Sequence, residues 1–425
     1  MYIGKIVMNV KTIIKKVHEK GFKGCIKSLR IRSANLINKE IINYWKRQPI
    51  DKRLIVMESG GEITDNAYAL YDYMGRNGYL KKYHVVWLVY EITGPKKEHK
   101  IQHLYPNTKI VWGDTTGIHK EWDRYLATCK WHIYDHTNFL RFYKKRKEQI
   151  IINLWHGCAF KRMKEVPVKE ISPANINFMT GKIFTPVFTD AFSCKPNKLL
   201  DIGYPRNDYL FQANSVSIKH VKEKIGLTQF NKVFLWMPTF RRSVSAYLDE
   251  SYFDSRTGLP VIENEKSLEE FNDFLKQIHS LLIFKIHHLQ ASLKSFSHNY
   301  SNIILLHDED IQGLNLQLYQ IIPIADALIT DYSSIAFDYM LLDRPIIFTV
   351  DDYEEYRDSR GFIPRDPIKY FAGDHVKDKH QLFDAVQRIS NGEDNYKEQR
   401  HELLPLVHTH PDGNSSKRIV EYLNL

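Results

Sequence analysis

Short apolar runs recur along this chain, each closed by a polar turn and often followed by apolar residues at three- to four-residue spacing. Runs at residues 54–57, 84–90, 109–112, 131–134 and 149–154 read as strands, and residues 65–74 read as a helix. A shorter strand at 199–202 leads into Gly203 and Pro205, which mark a turn. A second series follows at 233–237, 281–286, 303–306, 327–330 and 346–350, and the tail from Ser415 onward reads as a terminal helix. Strands alternating with helices imply parallel sheets covered on both faces. The predicted fold class is therefore α/β, with two doubly wound halves that meet near residue 213. Residues 213–232, polar and Lys-rich, read as a helix entering the second half, and residues 243–262 as a long loop broken by Gly258 and Pro260. Two such halves form a cleft at the carboxyl ends of their strands.

At 425 residues the chain is long enough for two or three domains with ample core. Its four cysteines, Cys25, Cys129, Cys158 and Cys194, are scattered without a CxxC pair, which argues against a disulfide framework or zinc cluster and suits a reducing compartment. No apolar run is long enough to span a bilayer, and no signal-peptide pattern is present.

Charge changes the picture at one end only. The formal net charge is +10, and residues 1–47 hold twelve Lys/Arg against Glu19 and Glu40; beyond them basic and acidic residues balance at 48 each. The body is no polycation, so nucleic acid is not an expected partner. Within the basic segment, Ile3, Ile6, Val7, Val10, Ile13, Ile14 and Val17 form a helical stripe, with Lys5, Lys11, Lys15 and Lys16 on other faces. That combination predicts an amphipathic helix on an anionic membrane surface, extended by Phe22, Ile26, Leu29 and Trp45. A helix docked on the protein's own surface is the competing reading.

The candidate chemistry sits at strand ends. Thr330-Asp331-Tyr332-Ser333-Ser334-Ile335-Ala336-Phe337-Asp338 runs from a strand into a helix. A helix start offers unpaired N–H groups and partial positive charge to a phosphate, and Ser333 and Ser334 add hydroxyls. Asp331 or Ser333 acting only as a helix cap is the alternative. Trp155-His156-Gly157 also follows a strand, with Lys161 and Arg162 beyond. Arg206, Pro238-Thr239-Phe240-Arg241 and Lys285-Ile286-His287-His288 fall at further strand ends. Fixed cations, imidazoles and a helix start together suit a diphosphate, because positive groups stabilise charge as a phosphate leaves. The loop with Gly60 and Gly61 lacks dinucleotide-fingerprint spacing and reads as a cleft wall.

In this order, Trp155-His156-Gly157, Gly203-Tyr204-Pro205-Arg206-Asn207-Asp208, Pro238-Thr239-Phe240-Arg241, Lys285-Ile286-His287 and Ile329 through Asp338 resemble the CDP-glycerol glycerophosphotransferases. Tyr356-Arg357 through Arg360-Gly361-Phe362 is similar to the family as well. The resemblance is strong over residues 150–375 and weak over 52–75. It implies a GT-B architecture with two Rossmann-like domains facing a cleft. The expected division is a membrane-associating segment at 1–47, an acceptor domain at 48–212 and a CDP-alcohol domain at 213–425. It also implies a peripheral enzyme on the cytoplasmic face of the bacterial membrane.

By resemblance, His156 is the catalytic base, and the loop through Gly157, Cys158, Ala159 and Phe160 binds the nucleotide-alcohol. Arg206 binds phosphate; Pro238, Thr239, Lys285, Ile286, Ser333, Ser334 and Asp338 contact the donor; His287 is a second essential histidine. The implied reaction is attack by a hydroxyl of a lipid-linked acceptor on the β-phosphorus of a CDP-alcohol, with CMP leaving, in teichoic-acid or capsule-type polymer synthesis. Cys158-Ala159-Phe160 departs from the Thr-Pro-Leu common after His-Gly in the family. His288 and Ala372 stand where the family usually has Pro. The departure in the donor loop leaves CDP-glycerol and CDP-ribitol both open. No Asp/Glu cluster shows Mg²⁺ spacing, so no cofactor is assigned and a divalent metal remains open. A GT-B glycosyltransferase or epimerase acting on a nucleotide sugar is the alternative enzyme, and a non-catalytic membrane-bound scaffold the alternative outside enzymes.

Overall fold

The computed structural model describes residues 10–90, 104–113, 116–136, 145–162, 174–192, 194–212, 218, 222–223, 226–239, 259–285, 299–359 and 361–425. The first half is a seven-stranded sheet in the order β3-β2-β1-β4-β5-β6-β7, every pair parallel. Its strands are β1 (Asp51–Glu58), β2 (His84–Tyr90), β3 (Thr108–Gly113), β4 (Cys129–Tyr134), β5 (Ile150–Asn153), β6 (Ile176–Phe178) and β7 (Leu199–Leu200). The second half is a six-stranded parallel sheet, β10-β9-β8-β11-β12-β13. It contains β8 (Lys232–Trp236), β9 (Ser280–Phe284), β10 (Ile303–Leu305), β11 (Ala327–Thr330), β12 (Ile346–Thr349) and β13 (Asp374–Val376).

The central strands are apolar without alternation because helices cover both faces of each sheet. Six of the seven β2 residues are Val, Trp, Leu or Tyr, in a run buried from Val85 to Tyr90, and β9 is buried throughout. The strands expected from the apolar runs are all present, with no end shifted by more than three residues and the bounds of β2 and β11 unchanged. The sequence reading missed β6 and β13. Each has three residues, and neither Ile176-Asn177-Phe178 nor Asp374-His375-Val376 carries a run that stands out from a loop. Residues 240–258, most of the expected long loop, lie outside the described residues; Leu259, Val261 and Ile262 at its end are buried in the second half's outer core.

One apolar core continues through both halves. It joins Ile55, Trp87 and Ile152 of the first sheet to Leu235, Leu328 and Phe348 of the second, with Phe160, Phe184 and Phe337 between them. The chain also returns to the first half at its end. The helix Ser415–Leu423 begins where Asp208 accepts hydrogen bonds from the N–H groups of Ser415 and Ser416, both at 2.8 Å. That carboxylate satisfies orphan donors at a helix start from more than 200 residues away. The Asp of the Gly203–Asp208 turn thus has a structural task.

Helix α1 (Val10–Trp45) is continuous, and its side chains are described at Ile26 and from Ser28 onward. Its last turns dock on the first half near α3 (Lys120–Thr128). Ala34 and Ile42 are buried there, and Asn38 donates to the Gly117 carbonyl while accepting from the N–H of His119, both at 3.0 Å. In this part of the segment expected to associate with a membrane, one face is committed to the protein.

Candidate active site

In a doubly wound sheet the crevice lies where neighbouring strands send their connections to opposite faces. Here those positions are β1/β4 in the first sheet and β8/β11 in the second. The chain leaving β4 is Asp135-His136, and the chain leaving β5, next to it, is Leu154-Trp155-His156-Gly157. Opposite them, β8 ends in Met237-Pro238-Thr239 and β11 in Asp331-Tyr332-Ser333-Ser334. The strand ends picked out by the sequence thus converge.

His156 sits in an unusual backbone. Trp155 has φ 58° and Gly157 φ 142°, so the two residues flanking the imidazole are both on the left-handed side. For Trp155 this is strained, and such strain is held where surrounding contacts fix it. The contacts are present. Asn66, on α2 (Asp65–Arg76), donates to the Trp155 carbonyl at 2.8 Å, and the Trp155 N–H donates to Asn153 Oδ1 at 2.9 Å. Gly157 is required twice. Besides its φ, a Cβ there would stand 2.3 Å from Ser334 Oγ across the cleft.

His156 Nδ1 lies 3.0 Å from the Asp135 carbonyl, which can only accept. Nδ1 therefore carries the proton, and Nε2 keeps a lone pair able to take one. Burial first, and then charge on His136, push the His156 imidazole down to about 3. The ring stacks on His136 at 4.1 Å between centroids with 13° between planes, and Trp155 lies 4.0 Å away on a tilt.

Sequence reasoning missed the carboxylate partners and His136. His136 Nδ1 is 2.7 Å from Asp135 Oδ1, and Nε2 is 3.8 Å from Asp65 Oδ2. Burial opposes charge on His136, but the two carboxylates outweigh it and raise its affinity for the proton. Burial also pushes the Asp135 carboxyl up. Two carboxylates thus face this imidazole and favour its charged form. The signal was present: Asp135-His136 follows a strand in the same way as Trp155-His156 does.

Arg206 joins the halves. Its Nη1 donates to both oxygens of Asp65, at 2.8 and 3.0 Å, and its Nη2 donates to Asp338 Oδ2 at 2.9 Å. Asp338 also accepts from Asn207 Nδ2 at 3.0 Å and from the Tyr319 hydroxyl at 2.6 Å, and the guanidinium lies over the Tyr319 ring at 4.3 Å. Arg206 is 5% exposed and Asp338 1%. Burial works against the guanidinium's charge, yet Asp65 and the groups around it hold it more firmly than usual. Arg206 is thus neutralised by two carboxylates in this state, and Asp338, expected as a donor contact, holds Arg206 in place.

The other expected residues divide. Asp331, expected as a possible cap, accepts from the Thr239 N–H at 2.8 Å and from the Thr239 hydroxyl, so it clamps the two central strand ends together. Pro238 and Thr239 are half-buried at that junction. Ser333 and Ser334 are half-buried too, and Ser334, the residue before the short helix Ile335–Tyr339, makes no side-chain cap. Lys285 Nζ lies 2.9 Å from Asp308 Oδ1. Cys158 and Phe160, in the loop expected to bind the nucleotide-alcohol, turn their side chains into the core. The Cys158 thiol is buried against the Tyr204 hydroxyl at 3.0 Å, and burial pushes it up to about 11. Phe160 packs on Phe184, Phe337 and Tyr370. Ala159 between them is half-buried. Ile286, His287, His288, Phe240 and Arg241 lie outside the described residues. Among the described residues no three His, Cys, Asp or Glu are grouped to hold a metal ion.

Comparisons with known proteins fit this geometry. The family model described as CDP-Glycerol:Poly(glycerophosphate) glycerophosphotransferase matches residues 41–425. A teichoic acid poly(glycerol phosphate) polymerase of Bacillus spizizenii is 27% identical over 88% of this chain and 93% of its own length. A teichoic acid ribitol-phosphate primase of the same organism is 28% identical over 71% of this chain and 76% of its own. The solved wall teichoic acid polymerase TagF has a TM-score of 0.74 at 21% identity, covering 98% of each chain, which shows a shared GT-B fold.

Proposed function

We propose, because the chain belongs to the CDP-glycerol:poly(glycerophosphate) glycerophosphotransferase family, that His156 is the base of a phosphotransfer carried out in the cleft between the two sheets. The enzyme is a transferase that moves glycerol phosphate from CDP-glycerol in teichoic-acid synthesis. The observation that carries the base assignment is the His156 imidazole, protonated at Nδ1 by its bond to the Asp135 carbonyl and neutral at Nε2. An acceptor hydroxyl gives its proton to Nε2 as its oxygen attacks the β-phosphorus. The bond from that phosphorus to the bridging oxygen breaks, and CMP leaves with the electron pair.

Ser334 faces Gly157 across the cleft, and with Ser333 beside it in the chain it supplies hydroxyl donors to the diphosphate. Arg206 lies next to Gly157, with Nη2 3.3 Å from where a Cβ would stand, and its pairing with Asp65 and Asp338 ties the two sides of the cleft together there. The finer reading is a lipid-linked saccharide or polymer as acceptor. The decisive measurement is nucleotide release with such an acceptor and CDP-glycerol, CDP-ribitol or a UDP-sugar. CMP release is expected, and UDP release without it overturns the reading. Ribitol keeps a place because Cys158 and Phe160 shape the donor loop from behind and a ribitol-phosphate primase is among the relatives.

The same reading places the enzyme peripherally on the cytoplasmic membrane face. No helix among the described residues is long and apolar enough to cross a membrane. Instead α1 carries exposed Ile26, Leu29, Leu36, Ile37 and Tyr44. At 100° per residue these fall on one side of the helix, roughly 145° from the docked face of Ala34, Asn38 and Ile42. Beside them a groove of about 810 Å³ runs between α1 and α3, lined by Leu36, Ile37, Tyr44, Trp45, Lys120 and Arg124 among others. Residues 1–33 hold nine Lys/Arg, each contributing about 1 kcal/mol near an anionic surface. Removing residues 1–33 leaves the docked turns in place. It is expected to abolish sedimentation with anionic vesicles at low salt and to spare turnover of a short soluble acceptor. Unchanged vesicle binding by the truncated protein places the anchor elsewhere.

A further inference from the structure

His136 takes no part in the reaction as written, yet its surroundings are more specific than a surface histidine needs. It leaves β4 at the sheet's switch point, one residue after the Asp135 whose carbonyl orients His156. Asp135 itself is fixed, since its Oδ2 accepts from the N–H of Ala67 at 2.8 Å. One ring nitrogen of His136 meets Asp135 and the other faces Asp65. The ring plane lies nearly parallel to that of His156. The glycine loop after β1 closes over it: a Cβ on Gly60 would stand 3.6 Å from the His136 ring. Gly61 in that loop has φ 94°, and a Cβ on it would stand 2.3 Å from the Tyr90 carbonyl oxygen, so only glycine fits. About a third of the His136 side chain stays exposed.

We propose that His136 is a positioning residue for the transfer: a planar cation held between Asp135 and Asp65 and stacked on His156, which keeps His156 in its neutral, Nδ1-protonated form with Nε2 ready to accept a proton. Two cations stacked at 4.1 Å repel, so while His136 is charged His156 resists protonation and stays neutral between turnovers. Among the described residues, three charged neighbours enter this balance. Asp65, from α2, favours charge on both rings. Arg206, from the turn after β7, disfavours it on both, and Asp135 favours it on His136. Arg206 is itself tied to Asp65 and Asp338, so its contribution is fixed in place.

The arrangement has a consequence during turnover. Once His156 has taken the hydroxyl proton, two imidazolium rings lie face to face. Their repulsion favours rapid release of that proton, to the departing CMP or to solvent, and resets the base. A merely structural His136 has no such effect.

The proposal rests on His156 as base, so its test separates the two. Ring-¹⁵N histidine labelling of the intact protein reads both imidazoles without turnover. At pH 7 His136 is expected as the imidazolium, and His156 as the neutral form protonated at Nδ1. In His136→Phe, planar but uncharged, the His156 titration and the acid limb of kcat/KM are both expected to rise by about one to three pH units. In His136→Arg, planar and charged, both are expected to stay near wild type. If His136 is neutral at pH 7, or if Phe and Arg leave the His156 titration alike, the proposal is overturned. If His156 shifts as expected while His156→Ala turns over at the wild-type rate, the base assignment fails and the coupling stands.

Discussion

Replacing His156 by alanine is expected to lower turnover by about 10²–10⁴-fold, the range for loss of a general base, with little change in melting temperature. The ring is half-buried and stacks on His136 and Trp155, and among the described residues it carries no ion pair. The strained turn around it is held by the side chains of Asn66 and Asn153 on the Trp155 backbone, which the substitution leaves intact. Steady-state rates at saturating CDP-glycerol, set beside a thermal melt, check both halves of this expectation. Since His156 is held down to about 3, its protonation does not limit the wild-type enzyme near neutrality. The wild-type kcat/KM profile is therefore expected to stay flat from about pH 7 to pH 5 as far as this group is concerned. A wild-type rate from His156→Ala removes the residue from the mechanism.

Arg206→Ala has the largest expected effect on stability. It strips the partner from Asp338, which is 1% exposed, and from Asp65 at the same time. Breaking a buried pair from one side typically costs about 3–5 kcal/mol, because the remaining charge stays out of water without compensation. The same contact ties the first half to the second, so the loss is expected as a lower melting temperature and as weaker CDP-alcohol binding. Arg206→Lys is expected to restore little, since a single ammonium cannot reproduce donation to Asp65 and Asp338 in one plane. Asp338→Asn combined with Arg206→Ala is expected to recover part of the stability by removing one of the stranded charges. Calorimetric melts of the single and double variants give the coupling directly. A melting temperature for Arg206→Ala equal to wild type makes the bridge energetically idle.

The sequence determined which segments are strands wherever apolar residues ran long enough to mark burial on both faces, as in β1, β2, β8 and β11. It also determined that chemistry sits at strand ends, because His156, Arg206, Thr239 and Ser333-Ser334 each follow or precede a strand in the linear order. Strand order was not available from it. Parallel neighbours are chosen by crossovers across dozens of residues, so nothing local shows that β1 lies beside β4 or β8 beside β11. The tertiary structure alone decided the electrostatics for the same reason. Whether Arg206 faces open solvent or two carboxylates depends on Asp65 and Asp338, 141 and 132 residues away. Whether His156 is a ready base depends on Asp135 and His136, brought to it by strand pairing. Cys158 and Phe160 show the limit from the other side. A loop that reads as ligand-facing alternates between cleft and core, and only the packing of Phe184, Phe337 and Tyr204 around it fixes which side chains are turned inward. Burial and charge are properties of neighbours in space, and a linear sequence names those neighbours only when they are also close along the chain.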